Sequence, residues 1–142
     1  MSTTLIVANQ TLPSTALAAE VAQRIASGET DFYVVVPATP PPGGSGFTWD
    51  EDAARAEAER RLAAFLERLR DQAVTAEGEI GDRDPVAAVR DAIRGRDVGS
   101  VILSTLPTGV SRWLRQDVPS RMRGALTVPV TVVEEQPAAT TH

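Results

Sequence analysis

The residues best suited to chemistry sit in one short segment, Ser104-Thr105-Leu106-Pro107-Thr108-Gly109, with Ser111, Arg112 and Arg115 just beyond it. Hydroxyls, a glycine and a helix start beside arginines can present backbone N–H groups and positive charge to an anion. Arg121 and Arg123 extend that positive charge in a chain whose formal net charge is −5. The same arginines would serve equally well as surface partners of Glu and Asp, a common arrangement that contributes little. Asn9 and Gln10 offer amides either to a polar ligand or to a turn. Trp113 is suited to stacking on a ligand or to packing under a short helix. Asp82 and Asp84 have the look of a carboxylate pair for acid–base work. Helix capping accounts for Asp84, however, and a turn accounts for Asp82.

Missing residue types narrow the chemistry further. Cysteine is absent, which excludes disulfides, thiol catalysis and cysteine-based metal sites. The single histidine is His142, the last residue, so neither a Ser-His-Asp triad nor a histidine metal site is expected within the fold. All 14 basic residues are arginines, which rules out a Walker-type lysine, a Schiff base and a lysine general base. Carboxylates, hydroxyls, amides, one tyrosine and arginines remain. That inventory favours binding over catalysis, and the chain is expected not to be an enzyme and to need no cofactor.

Charge and hydropathy set the remaining bounds. The acidic balance, with a pI near 4.9, argues against nucleic acid and anionic membranes as partners. No apolar run approaches the roughly 20 residues that cross a bilayer. Met1-Ser2-Thr3-Thr4 has no basic region, so a cytoplasmic location is the expectation. A hydrophobic fraction of 42% over 142 residues is enough for one domain with a real core.

The elements that would position these residues follow from periodicity. Leu5-Ile6-Val7-Ala8 reads as a short buried strand, followed by a turn over Asn9 to Pro13. Ser14 is suited to capping a helix with Leu17, Val21 and Ile25 on one face and Gly28 at its end. Phe32 to Val36 is a β-branched and aromatic strand closed by Pro37. The proline- and glycine-rich segment from Thr39 to Gly46 cannot hold regular structure and would act as a surface connection or a lid. Thr48-Trp49-Asp50-Glu51 matches a capping box and predicts a long helix with Ala58, Leu62, Phe65, Leu66 and Leu69 on its apolar face. The opposite face would be solvated, with i,i+4 pairs such as Glu57–Arg61.

Val74 to Ile80 is a polar strand suited to a sheet edge. Asp84 and Pro85 start a helix with an apolar stripe of Val86, Val89, Ala92 and Ile93. Val101-Ile102-Leu103 is apolar throughout and predicts an interior strand. Asp117 and Pro119 suggest a further short helix capped by Asp117, and Val130 to Val133 is the last strand. Strict alternation of strand and helix predicts an α/β domain with a five-stranded parallel sheet and helices on both faces. It spans residues 1–135, with a disordered tail over 136–142. Ligands of such sheets bind beyond the carboxyl ends of the strands, which points to the loops after Ala8, Val36 and Leu103.

Three segments in this order, Leu5-Ile6-Val7-Ala8, Gly81-Asp82 with Pro85, and Val128-Pro129-Val130-Thr131-Val132-Val133, resemble the universal stress protein family within the Rossmann-like (HUP-type) superfamily. ATP-binding members carry G-2x-G-9x-G-[ST] after the fourth strand. Alignment back from Pro129 puts Leu103, Leu106 and Gln116 at the glycine positions and Asp117 at the hydroxyl. Those side chains would crowd the backbone approach that glycine permits, and the carboxylate would repel a triphosphate. Asn9 or Gln10 stands where the family has an adenine-side aspartate, and Val36 where it offers backbone to the base. Ser104 to Arg115 instead resembles a divergent, actinobacterial-type branch.

The resemblance implies a non-enzymatic module that pairs with a second copy through Val130–Val133. Its degenerate nucleotide site would comprise Asn9, Gln10, Val36, Ser104, Thr105, Thr108, Gly109, Ser111, Arg112 and Arg115. One alternative is a binder of a small anionic ligand, ATP or another phosphorylated compound, at the same turn. A nucleotide hydrolase is the other alternative, and it lacks a nameable general base.

Overall fold

Runs of β-branched residues make the interior strands, and amphipathic helices cover them. In the computed structural model, residues 3–8, 15–37, 51–81, 84–105 and 117–134 are described. The strands are β1 (Thr3–Val7), β2 (Asp31–Pro37), β3 (Thr75–Gly81), β4 (Val98–Thr105) and β5 (Val130–Glu134). The helices are α1 (Thr15–Ala26), α2 (Glu51–Arg70), α3 (Pro85–Ile93) and α4 (Val118–Ala125). All strand pairs are parallel and the order is β3-β2-β1-β4-β5. This is the expected doubly covered α/β sheet, with the polar β3 at one edge and the apolar β4 inside.

Each face of the sheet has its own core. On one face Leu5, Val7, Val35, Val101 and Leu103 pack under Val86, Val89 and Ala92 of α3 and Val118 and Met122 of α4. On the other, Ile6, Phe32, Val34 and Ile102 pack under Leu17 and Val21 of α1 and Leu62, Phe65 and Leu69 of α2. Consecutive strand residues thus alternate between two buried faces, which explains why these strands read as continuous apolar runs. Fully burying one such side chain stabilises the fold by roughly 1.5–3 kcal/mol. Leu66 and Ile93, expected on the apolar stripes, are partly buried against these cores.

Local signals held at several helix ends. Asp84 accepts the Val86 N–H at 3.3 Å with Pro85 in the first turn of α3. Beyond α1, Gly28 takes a positive φ of 106°. Glu57 pairs with Arg61 at 3.3 Å on the solvated face of α2, and also with Arg60. Asp117 departs from expectation. It precedes α4 but adopts a left-handed backbone, φ 57° and ψ 39°, and its side chain makes no capping bond. An N-cap oxygen reaches the helix from an extended backbone, which this residue does not have. Ser14, the Thr48–Glu51 box as a motif, the 39–46 loop and the 136–142 tail lie outside the described residues.

Two long-range polar clusters were not foreseen. Arg24 of α1 bonds Glu20 at 2.9 Å, Ser100 Oγ at 2.9 Å and Thr131 Oγ1 at 3.1 Å, and lies 3.6 Å from Glu29. It thereby ties α1 to β4 and β5. On the opposite face, the Tyr33 hydroxyl donates to Glu79 of β3 at 2.6 Å, and the Arg96 guanidinium stands 3.7 Å from the Tyr33 ring centroid. Burial above all, then the Glu79 hydrogen bond and charge, pushes the Tyr33 pKa from 10.0 up to about 12.

Candidate functional site

Strand order locates the crevice. From β1 the chain adds β2 and then β3 on one side, then crosses back to add β4 and β5 on the other. The order therefore reverses between β1 and β4, the place in a sheet of this kind where ligands bind. Val7 pairs with Leu103, so Ala8 and Ser104 come next at the carboxyl ends of these strands. The neighbouring strand is held close, because the Ala8 N–H donates to the Val35 carbonyl at 3.2 Å.

Three of the expected site residues are described there. Val36 is fully buried, and its side chain belongs to the core under α1 and α2. It could offer a ligand only its backbone. Ser104 and Thr105 were expected to open the turn, but they are the last two residues of β4 and pair with Val133 and Glu134. A fourth strand longer than its apolar run explains the difference, since β5 continues the ladder alongside it. Both hydroxyl residues are 1% exposed. Alternation from Val101 and Leu103 places the Thr105 side chain on the α3/α4 face and Ser104 on the other. Thr105 Oγ1 is buried and has no hydrogen-bond partner among the described residues. Leaving such a hydroxyl unmatched costs about 1–3 kcal/mol, so the group calls for an explanation.

The helix starts supply charge at the same end of the sheet. α3 and α4 both follow strands there, and they pack side by side. Arg121 of α4 donates to Asp84 Oδ1 at 3.2 Å and Oδ2 at 3.4 Å. Arg123 donates to the Val130 carbonyl at 3.3 Å. Arg121 therefore has a carboxylate partner within the chain, as the surface-pair reading expects, whereas Arg123 meets a backbone carbonyl. Asn9, Gln10, Thr108, Gly109, Ser111, Arg112, Arg115, Trp113 and Asp82 lie outside the described residues. Among the described residues, no group of three His, Cys, Asp or Glu is placed to hold a metal ion. No helix among them is long and apolar enough to cross a membrane.

No family model matches the chain, and no curated protein matches it. Solved structures do share its fold. A universal stress protein from Archaeoglobus fulgidus superposes with a TM-score of 0.61 at 20% identity, covering 94% of this chain and 93% of that one. A universal stress protein family member from Burkholderia pseudomallei gives 0.63 at 16% identity, covering 93% and 95%. One from Arabidopsis thaliana, solved with AMP bound, gives 0.63 at 12% identity, covering 98% and 97%. The chain thus has the α/β fold of universal stress proteins along nearly its whole length.

Proposed function

We propose that the chain is a non-enzymatic, universal stress protein-like module that works as a homodimer and carries a degenerate nucleotide site. The observation that carries this reading is β5, an outermost strand whose Thr131, Val132 and Val133 are only half-buried. An apolar edge of this kind invites pairing with another strand. The site half of the reading rests on the sequence alone, in which Leu103, Leu106, Gln116 and Asp117 stand in place of the glycines and hydroxyl of the ATP-binding motif. A cytoplasmic setting goes with it.

Sedimentation equilibrium over a wide concentration range tests the dimer, which a strict monomer at high concentration would exclude. Incubation with ATP should return the nucleotide intact; turnover by pure protein would overturn the non-enzymatic assignment.

A second reading is favoured by the unmatched Thr105 hydroxyl. It makes the crevice a binding site for a small anion, with Ser104, Thr105, Arg112 and Arg115 contributing. A thermal-shift screen of ATP, AMP and inorganic phosphate against the wild type and an Arg112→Ala, Arg115→Ala variant decides it. Stabilisation lost in the variant supports the anion site, whereas no stabilisation, or an equal one, removes it.

A further inference from the structure

The two edges of the sheet carry a similar local device. In a parallel ladder, alternate residues turn their N–H and C=O toward the neighbouring strand, and the residues between turn theirs away. The Val101 N–H donates to the Pro129 carbonyl at 2.9 Å, so Val130 and Val132 of β5 face outward. The Thr75 N–H donates to the Thr30 carbonyl at 2.8 Å, so Ala76, Gly78 and Ile80 of β3 face outward. In each case an arginine from the preceding helix holds the first outward carbonyl, Arg123 that of Val130 and Arg70 that of Ala76.

The hold on β3 is the tighter one. Arg70 ends α2, and a short connection with Ala73 at a positive φ leads from it into β3. Its Nε and Nη2 both donate to the Ala76 carbonyl, at 3.0 and 2.7 Å. Bonds from a charged donor are stronger than those between neutral groups. The Ala76 side chain is buried on the α2 face, so alternation puts Glu77 and Glu79 on the other. Glu77 is exposed there, and the Tyr33 hydroxyl fixes Glu79.

We propose that Arg70, Glu77 and Glu79 lock the β3 edge against a second copy of the chain, so that the sheet is not extended from that side. An antiparallel β3–β3 pair overlaps most when its two-fold axis passes through Glu77, Gly78 or Glu79. These registers set Glu77 opposite Glu77, Glu77 opposite Glu79, and Glu79 opposite Glu79 respectively. Like charges directly opposite each other destabilise a strand pair. The first two registers also need the Ala76 carbonyl, for the Gly78 or the Ile80 N–H of the second copy, and Arg70 occupies it. Backbone and side chains thus close the edge together. The lock is independent of the homodimer reading, because it concerns the opposite edge and acts in a monomer as in a dimer.

Unlocking the edge tests it. Glu77→Arg turns both Glu77–Glu79 oppositions of the Gly78-centred register into ion pairs. Arg70→Met frees the Ala76 carbonyl while keeping an apolar stem. The double variant should associate through β3, and sedimentation velocity should read about twice the wild-type mass or more. A monomeric wild type would yield dimers, and a dimeric one tetramers and longer chains. Arg70→Met alone should keep the wild-type mass, and Glu77→Arg alone should associate about tenfold more weakly than the double variant. Circular dichroism confirms that each variant is folded. Added salt should weaken the new association. Ile80→Pro should abolish it, since this proline removes an outward N–H and no bond to β2. A double variant that stays at the wild-type mass, or one whose association ignores both salt and Ile80→Pro, overturns the lock. So does a wild type that itself grows into open-ended chains.

Discussion

β3 and β5 both end the sheet, and both place a guanidinium on their first outward carbonyl, yet they leave opposite surfaces behind it. On β3 the Thr75 N–H faces β2, so Ala76 faces outward, and Arg70 holds its carbonyl with two bonds at 2.7 and 3.0 Å. Glu77 and Glu79 then line one side of β3, Glu79 being tied to Tyr33, while Gly78 is pressed against α2. On β5 the corresponding positions are Thr131 and Val133, half-buried and uncharged. Unpaired backbone is common to both edges. Side-chain chemistry decides whether an edge is closed to a second strand or open to one, and charge along a strand is a standard means of closing it.

The largest effect expected from disturbing this contrast is at Gly78. A Cβ there would stand 2.6 Å from the Val34 carbonyl oxygen and 2.8 Å from Leu62 Cδ1. Gly78→Ala should therefore cost about 2–3 kcal/mol in urea unfolding, because a backbone atom cannot move aside cheaply. An unchanged midpoint would mean that β3 is not clamped between β2 and α2.

Val132→Pro attacks the opposite edge. The Val132 N–H faces outward, so proline removes no bond to β4 but blocks strand addition. The dimer should weaken about a hundredfold, read by sedimentation, with little change in monomer stability. An equally tight dimer would move the interface away from β5.

The tyrosine gives a pH-dependent reading of the β3 side. Tyr33 is the only tyrosine, and the chain has no lysine, so little else titrates between pH 10 and 12. Its folded pKa is raised, which means that the protonated phenol is favoured in the folded state. The resulting stability is fully present below pH 10 and is lost as pH rises toward 12, by up to about 2 kcal/mol. Phenolate absorbance should show one transition near pH 12 in the folded protein, and Tyr33→Phe should flatten the stability profile over that range. A transition near pH 10 would show that Glu79 and burial do not hold the proton.

The smallest effect is a gain. Ala73, in the connection from α2 into β3, has a φ of 64°, a conformation that penalises any Cβ. Ala73→Gly should stabilise the protein by up to about 1 kcal/mol in thermal unfolding. A loss instead would mean that the entropy of the unfolded chain outweighs the relief of strain.

How far the site could be read from sequence follows the range of the interactions involved. Asp84 with Pro85 and the Glu57–Arg61 pair are contacts between near neighbours, and the sequence predicts them correctly. Ser104 and Thr105 are misread as turn residues because their strand character comes from Val133 and Glu134, almost thirty positions away. Asp117 is misread because side-chain type suggests a cap, while the backbone conformation that makes capping work is set by the chain around it. Arg24, Tyr33 and Arg123 give no local sign of their partners Thr131, Glu79 and Val130.

The sequence by itself determined the strand–helix alternation and the two-sided burial of the interior strands. It also excluded cysteine, lysine and interior histidine chemistry. These follow from periodicity and residue inventory, which are properties of neighbouring positions. Only the tertiary structure decided the order of the strands across the sheet and which of the described arginines are engaged. The same is true of the Thr105 hydroxyl, buried at the reversal of strand order without a partner among the described residues. Each of these depends on which distant segments meet, and that is set by the packing of the whole sheet rather than by any stretch of chain within it.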